Sequence, residues 1–334
     1  MKRVTVVIPS WNGKDLLKPC LDSLYHQEFQ DFVTIVVDNG STDESVPFVK
    51  EHFPQVRVIS FENNTGFSVA VNAGITAAES PYIALLNNDT EVHPLWLKEL
   101  VEALEADPKA GSAASKILFF SDPTSVNSAG DEFSFFGVAY QRRLRPGDYD
   151  LFNEPRYVFS ACGAAALYRK ELFETIGLFD ETFFAYHEDV DLGFRAQLAD
   201  YRCLFAPEAI VYHKYHRTLS KGSSHWFYLR ERNKYFVMIK NLPITILLIC
   251  SPLIVAYEVI CLAQAIWSRR FGAYFKALWD VFVSFSFVLQ SRHQIQASRV
   301  VSNRYVLGLL HLIEPLKILF SILQSGNRVQ KINM

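Results

Sequence analysis

The sequence predicts an α/β protein with a mostly parallel sheet flanked by helices, followed by a helical, membrane-associated tail. Up to about residue 115, apolar runs alternate with helical stretches, as they do in doubly wound sheets. The apolar runs are continuous, which is typical of strands covered on both faces. Beyond Leu242 long apolar stretches follow one another. A chain of 334 residues, half of them hydrophobic, is long enough for one large α/β domain and an appendage.

The first half of the chain contains four clear strand patterns, each followed by a helical pattern. We expect strands at 4–8, 33–37, 56–60 and 82–86 because these runs are β-branched or otherwise apolar. Helices are expected near 14–26, 45–51, 66–78 and 94–107. In a sheet of this type, ligands bind at the carboxyl edge, where the order of the strands reverses.

The middle of the chain is less regular. Residues 119–155 are rich in Gly, Pro, Ser and aromatic residues, which predicts an irregular insertion. Such an insertion lines a substrate site or forms a structural flap. Helices are then expected at 169–176, ended by Gly177, and at 190–199, where the pattern is amphipathic.

The tail contains three apolar stretches, at 244–267, 271–290 and 305–324. The first has about the length that crosses a bilayer, but it contains Glu258 and is followed by Arg269 and Arg270. Since a carboxylate inside a span is costly, an in-plane or re-entrant helix competes with a spanning one. A buried helical domain or an oligomer interface is the other interpretation.

Charge and cysteine content limit the possible partners and compartment. The net charge of -2 indicates no polyanion partner, and we expect no nucleic acid. From Lys240 onward ten basic residues face three acidic ones, which suggests a membrane or an acidic partner for the tail. The five cysteines form no C-x-x-C pair, so a reducing cytosol is expected. The N-terminus lacks the apolar region of a secretory signal, which also predicts a cytoplasmic catalytic part.

Three of the predicted strands end in polar turns that should meet at one sheet edge. The turns are Pro9-Ser10-Trp11-Asn12, Asp38-Asn39-Gly40-Ser41 and Asn87-Asn88-Asp89-Thr90. Asp38 could accept a hydrogen bond from a base or a ribose, or it could simply be a turn residue. The oxygens of Asp89 and its amide neighbours suit Mg²⁺ or Mn²⁺ bound together with substrate phosphates.

The densest acidic cluster is 187–191, just before a predicted helix. Acidic side chains there are favoured by the helix dipole without any catalytic role. Alternatively, the aromatic neighbours raise the pKa of a carboxylate toward that of a useful base. His213 follows a strand pattern and could complete a metal site with Asp89, although a lone histidine is more often structural.

Several motifs of other enzyme classes are absent from the sequence. It contains no G-x-x-x-x-G-K-[ST] phosphate loop, and no G-x-G-x-x-G follows the first strand. It also contains no G-x-S-x-G motif. The sequence therefore lacks the main motif that would indicate an ATPase, a dinucleotide oxidoreductase or an α/β-hydrolase.

Taken together, the motifs resemble family 2 glycosyltransferases, the inverting enzymes of GT-A (Rossmann-like) fold, and among them the rhamnosyltransferase-like enzymes of surface polysaccharide assembly. The resemblance covers roughly residues 3–240. Besides the three polar turns described above, the matching motifs are Asn64-Thr65-Gly66-Phe67, Asn72-Ala73-Gly74, Gly163-Ala164-Ala165-Ala166 and the segment from Gly177-Leu178-Phe179-Asp180 to Leu192. Each motif is weak alone, but their order and spacing together are specific.

The resemblance implies a role for each matching position. Asp189 would deprotonate the acceptor hydroxyl and Glu188 would support it. Asp89 and His213 would bind Mg²⁺ or Mn²⁺ at the diphosphate, with Asp38 hydrogen-bonding the pyrimidine. The nucleotide-sugar pocket would be formed by Pro9, Ser10, Trp11, Asn12, Asp38, Asn39, Gly66, Asn72 and Asn88.

The sequence departs from the family pattern at two places. Asn87 replaces the first Asp of the D-x-D motif, which leaves metal binding to Asp89, His213 and the phosphates. No Q-x-x-R-W motif follows the acidic cluster. Because processive synthases carry that motif, we expect the transfer of one or a few sugars.

The sequence thus predicts a glycosyltransferase domain at 1–240 and an apolar, basic tail at 241–334. The enzyme would move a rhamnose-like or other hexose from a dTDP- or UDP-sugar to a lipid-linked or polysaccharide acceptor. The tail would contact membrane lipids at the cytoplasmic face of the inner membrane. A nucleotidyltransferase and a non-catalytic, membrane-bound scaffold are the alternatives.

Overall fold

The computed structural model describes residues 1–142, 153–214 and 223–312. The chain divides into two compact units. Among the described residues, the first unit holds 1–131, 141–142 and 153–214, and the second holds 132–140 and 223–312. The sequence places the division after residue 240. The structural division comes earlier because the helix Ser224–Asn241 packs against later helices of the second unit.

The first unit is built on a large sheet whose parallel part was predicted. Strands β3 (Arg57–Ser60), β2 (Phe32–Asp38), β1 (Val4–Ser10) and β4 (Tyr82–Leu86) lie side by side in this order, all parallel, so the sheet reverses its order at β1. In the register, Ser10 is opposite Asp38 and Asp38 is opposite Ser60.

Helices cover both faces of this sheet. Along β1, Val4, Val6 and Ile8 belong to one core layer and Val7 to the other. This two-sided burial explains why the strand is mostly apolar on both faces. One layer includes helices α1 (Lys14–Tyr25), α2 (Ser45–His52) and α4 (Trp96–Ala106). The other includes α3 (Phe67–Thr76), α5 (Lys170–Ile176) and α6 (Glu188–Leu198).

The sheet continues beyond β4 with strands of both directions. Next to β4 lie, in order, β11 (Ala165–Arg169), β6 (Ala110–Phe119), β12 (Arg202–His213) and β10 (Arg156–Val158). In addition, β5 (Thr90–Val92) pairs with β12, and β7 (Asp122–Ser128) pairs with β6. The prediction of an irregular segment at 119–155 differs from the structure, because strands occupy much of its described part.

The second unit is mainly helical in its described part. Its helices are α7 (Ser224–Asn241), α8 (Ile244–Trp267), α9 (Phe271–Val283), α10 (Phe285–Ala297) and α11 (Asn303–Gly308). A small sheet joins β8 (Asp131–Ser134), β9 (Ala139–Gln141) and β13 (Leu310–His311). The stretch predicted at 271–290 is broken, since α9 and α10 meet at an angle of 63°. The part of the third stretch beyond residue 312 lies outside the described residues.

Among the described helices, α8 is long and apolar enough to cross a membrane. The bent pair α9–α10 also passes this test when it is taken as one segment. Both statements rest on length and composition alone.

Candidate active site

The ends of β1, β2 and β4 bring Ser10, Asp38 and Asn88 together. Ser10 and Asp38 are register partners, and the amide of Asn88 donates to the Ser10 hydroxyl at 2.9 Å. Gly13 lies against this contact, since a Cβ there would be 2.2 Å from the Asn88 amide nitrogen. The sequence assigned Gly13 no role, and its close approach to a side chain distant in the chain is visible only in the folded protein.

Asp38 is placed as a hydrogen-bond acceptor at this edge. It is buried, and its Oδ2 accepts from the backbone N–H of Ser41 at 3.2 Å. Its Oδ1 is also buried and has no hydrogen-bond partner among the described residues. Since a buried carboxylate oxygen is costly to leave unpaired, Oδ1 is suited to receive a donor from a ligand.

Asn12 joins the end of β1 to the loop after β2. Its backbone N–H donates to the Ser41 hydroxyl, and its side-chain oxygen accepts from the N–H of Thr42, both at 2.8 Å. Pro9 lies within β1 opposite Val37, and Trp11 follows the strand half-buried. These residues therefore lie beside Asp38, as predicted for one wall of a pocket.

Two of the predicted pocket residues, Asn39 and Asn72, brace loops around the site. The amide of Asn39 donates to the carbonyl of Gly66 at 2.9 Å, and its oxygen accepts from the N–H of Thr65 at 2.9 Å. The side chain of Asn72 exchanges two hydrogen bonds with the backbone of Phe179, at 2.8 and 3.0 Å. The structure thus places Asn39 and Asn72 as positioning residues with engaged amides.

Gly66 allows the loop before α6 to approach α3. Its φ is +94°, and a Cβ would lie 2.7 Å from the carbonyl oxygen of Phe184. The N–H of Phe67 donates to that same carbonyl at 2.6 Å. Phe184, Tyr186 and His187 all have positive φ, a conformation that non-glycine residues rarely adopt. Contacts from α3 therefore support a strained loop that leads directly to Glu188 and Asp189.

Asp89 and His213 lie together although 124 residues separate them. The antiparallel pairing of β5 and β12 puts Thr90 opposite His213. The Nε2 atom of His213 is 3.1 Å from Oδ1 of Asp89, and both side chains are buried. On the other side of the ring, Nδ1 is 3.4 Å from Oδ1 of Asn127. Asn127, on β7, lies in the segment predicted to be irregular, so the sequence reading missed it.

The chemistry of this pair fits a divalent cation. In the tautomer whose Nδ1–H donates to Oδ1 of Asn127, the lone pair of Nε2 faces the Asp89 carboxylate. Two acceptors 3.1 Å apart repel each other unless a proton or a metal ion lies between or beside them. Carboxylate oxygen and imidazole nitrogen are ligands that Mn²⁺ accepts, and a second hydrogen bond that orients the histidine is usual in metal sites.

Asp189 is held separately, in the first turn of α6. The backbone N–H of Gly163 donates to its Oδ2 and that of Val190 to its Oδ1, each at 2.9 Å. Gly163 just precedes β11, whose first residue pairs with Leu86 at the end of β4. Because Gly163 holds the Asp189 carboxylate, this pairing brings the carboxylate to the end of β4. Asn88 and Asp89 follow the same end of β4 in the chain. Gly163 has a positioning role that the motif alone did not define.

The first two residues of α6, Glu188 and Asp189, have raised pKa values. Burial raises the pKa of Asp189 above its ordinary value, while the N–H donors of Gly163 and Val190 oppose the shift. Burial and then the negative charge of Asp189 raise the pKa of Glu188 well above its usual range. Oε2 of Glu188 is buried without a hydrogen-bond partner in the described part of the chain. A carboxyl group with a raised pKa is a stronger base when it is ionised, so the arrangement suits proton removal.

This combination of sheet and site defines a glycosyltransferase of GT-A fold. The chain belongs to glycosyl transferase family 2, whose sequence profile it matches over residues 5–177. The resemblance inferred from the motifs, the fold class and the assignment as an enzyme are therefore confirmed.

Two curated relatives of the chain are named for sugar transfer and for O-antigen biosynthesis. The chain is 29% identical over 221 residues to N-acetylglucosaminyl-diphospho-decaprenol L-rhamnosyltransferase of Mycobacterium tuberculosis, covering 57% of this chain and 69% of that one. It is 28% identical over 221 residues to an O-antigen biosynthesis protein of Myxococcus xanthus, covering 63% of this chain and 17% of that one. The chain spans 25% of the length of a relative from Sinorhizobium fredii and 17% of the Myxococcus protein, against 69% of the mycobacterial enzyme.

A solved structure shows the same fold. The mannosyltransferase of Pyrobaculum calidifontis in complex with GDP-Man and Mn²⁺ superposes with a TM-score of 0.55 at 18% identity. The match covers 89% of this chain and 84% of that one.

Proposed function

We propose that this chain transfers a single hexose, rhamnose or a similar sugar, from a dTDP- or UDP-sugar to a lipid-linked or polysaccharide acceptor, with inversion at the anomeric carbon. Family 2 membership and the relatives named for L-rhamnose transfer and O-antigen biosynthesis support this class of reaction. A nucleotidyltransferase receives no such support.

The observation that carries the proposal is the Asp189 carboxylate. Backbone donors hold both of its oxygens, and burial raises its pKa. In the proposed step the acceptor hydroxyl gives its proton to this carboxylate as its oxygen bonds to the anomeric carbon. The bond from that carbon to the diphosphate oxygen breaks, and the nucleoside diphosphate leaves. Glu188, next to Asp189 and buried, would support this base.

The donor would bind along the ends of β1, β2 and β4. Oδ1 of Asp38 would accept the N–H of the pyrimidine, which pairs an oxygen that otherwise lacks a partner. Asp89 and His213 would hold Mg²⁺ or Mn²⁺, a Lewis acid that stabilises charge on a departing diphosphate. Asn88, fixed to Ser10, would orient the sugar nucleotide beside them.

The second unit supports an acceptor at a membrane. The sides of α8, α9 and α10 carry many exposed apolar residues, among them Leu248, Val255, Trp279 and Phe282. An exposed apolar surface of this extent is typical of a lipid or protein contact. We assign it to the cytoplasmic face of the inner membrane, where nucleotide sugars are available.

The test begins with binding and ends with product mass. Purified full-length protein is screened for thermal stabilisation by UDP-, dTDP- and GDP-sugars in the presence of Mn²⁺, since a ligand stabilises in proportion to its affinity. We expect a dTDP- or UDP-sugar to stabilise most and then to add one sugar to a polyprenyl-diphosphate glycan acceptor. Stabilisation by GDP-sugars alone, or a long polymer as product, would contradict the proposal.

A further inference from the structure

The second unit contains a groove of about 560 Å³ between the start of α8 and the turn from α10 to α11. Arg292, His293 and Arg299 line one part of it, together with the amides of Gln296 and Asn303. No carboxylate lines the groove among the residues that the structure describes. The glycosyl transfer proposed above gives this basic groove no role.

The basic side chains of the groove are held in place. Arg292 donates through Nη1 to the carbonyls of Ile239 and Leu242, at 2.5 and 2.6 Å, at the end of α7. Arg299 donates to the side-chain oxygen of Asn303. The two guanidinium groups repel each other. Since backbone contacts fix one of them and an amide the other, their remaining N–H groups are prepared for an anion with several acceptor oxygens.

The rim of the groove is apolar. Ile244 and Leu289 line it and are 56% and 41% exposed, and Phe285, one turn before Leu289 on α10, is 46% exposed. Exposed apolar residues continue along α8 through Leu248 and Ile249. A free phosphate ion would make no favourable contact with this apolar surface, whereas a lipid would place its acyl chains against it.

We propose that the groove binds the phosphate of an anionic membrane lipid, with Arg292 and Arg299 on the phosphate oxygens and the acyl chains along α8 and α10. This rests on the membrane association in the proposed function and gives it a specific headgroup site. The occupant is a lipid because basic charge and exposed apolar surface meet at one edge. The site would fix the orientation of the second unit on the bilayer surface.

The experiment compares two arginines of the same unit. Full-length protein carrying Arg299→Gln or Arg304→Gln is tested for flotation with vesicles of phosphatidylcholine, alone or mixed with phosphatidylglycerol. Arg304 is exposed, lies on α11 and does not line the groove, so its loss removes the same charge at a neighbouring position. Circular dichroism checks that both variants fold.

We expect wild-type protein to prefer the vesicles that contain phosphatidylglycerol. Arg299→Gln should weaken binding to them about tenfold, and Arg304→Gln about twofold, because a direct charge-assisted hydrogen bond is worth more than diffuse attraction. Inorganic pyrophosphate, added to wild-type protein, should compete only weakly with vesicles, since it lacks the acyl chains.

Three results would overturn the headgroup site. Equal losses in the two variants would indicate diffuse attraction only, and unchanged binding of Arg299→Gln would leave the groove without a role. Arg299-dependent stabilisation by pyrophosphate combined with Arg299-independent vesicle binding would assign the groove to a soluble phosphate. In each case membrane association would still stand. If wild-type protein bound neither kind of vesicle, the membrane part of the proposed function would fail as well.

Discussion

Asp89 and Asp189 adjoin the end of the same strand, β4, but their surroundings differ. Asp89 faces the imidazole of His213 at 3.1 Å, an arrangement that suits a cation. Asp189 receives two backbone N–H groups and has a raised pKa because of burial. Under the proposed function we therefore expect different tasks for the two carboxylates, charge stabilisation through a metal ion at Asp89 and proton transfer at Asp189.

The largest effect that follows from this difference is expected for Asp189→Asn. The amide keeps an oxygen for the N–H of Gly163 but cannot take a proton, so kcat should fall about 1,000-fold while the affinity for the sugar nucleotide is retained. Transfer assays and calorimetric titration of the donor measure the two quantities. Asp22→Asn, on the exposed side of α1, is the matched control and should keep full activity. Full activity in Asp189→Asn would show that another group accepts the proton.

A smaller and different effect is expected for Asp89→Asn. The variant keeps the shape but loses the charge opposite His213, so the apparent affinity for Mn²⁺ should fall about 100-fold. Activity should return in part at high Mn²⁺, which it should not do in Asp189→Asn. Electron paramagnetic resonance of Mn²⁺ reports binding without turnover. Glu91→Gln is the control, since Glu91 lies two residues further along and pairs with Lys214 instead. Unchanged Mn²⁺ binding in Asp89→Asn would remove the metal assignment.

The smallest effect concerns stability and pH at Glu188. Its raised pKa means that the folded protein keeps the proton to a higher pH than the unfolded chain does. Its contribution to stability is therefore present below the unfolded pKa and is lost as the pH rises through the folded pKa. Glu188→Gln removes this loss, so its stability relative to wild type should rise with pH by at most about 1.4 kcal/mol per pH unit across that window.

Urea unfolding of both proteins from about pH 4 to about pH 8 measures this difference. This range begins near the ordinary pKa of a glutamate and extends well above it. Asp22→Asn again provides the comparison, because its carboxylate is exposed. A difference between Glu188→Gln and wild type that stays constant with pH would contradict the interpretation.

The parallel half of the sheet was predictable because its strands are apolar runs between helices. The strands that follow were harder to recognise for a physical reason. β6 consists largely of Ala, Ser and Gly up to Lys116, with a short apolar run only in its last three residues, and β7 begins with the exposed residues Asp122-Pro123-Thr124. Neither strand is therefore apolar along its length. Their burial depends on neighbouring strands. Asn127 was missed together with β7, and with it the side chain that orients His213.

The sequence by itself determined the fold class, the polar turns after β1, β2 and β4, and the acidic start of α6. Each of these follows from local hydrophobicity and turn chemistry. Only the tertiary structure decided which polar groups meet. Strand pairing joins Thr90 to His213 and thereby creates the Asp89–His213 pair, and the entry of β11 beside β4 brings Gly163 to Asp189. Because these contacts depend on register between distant segments, and burial then sets the pKa values, no local pattern could specify them.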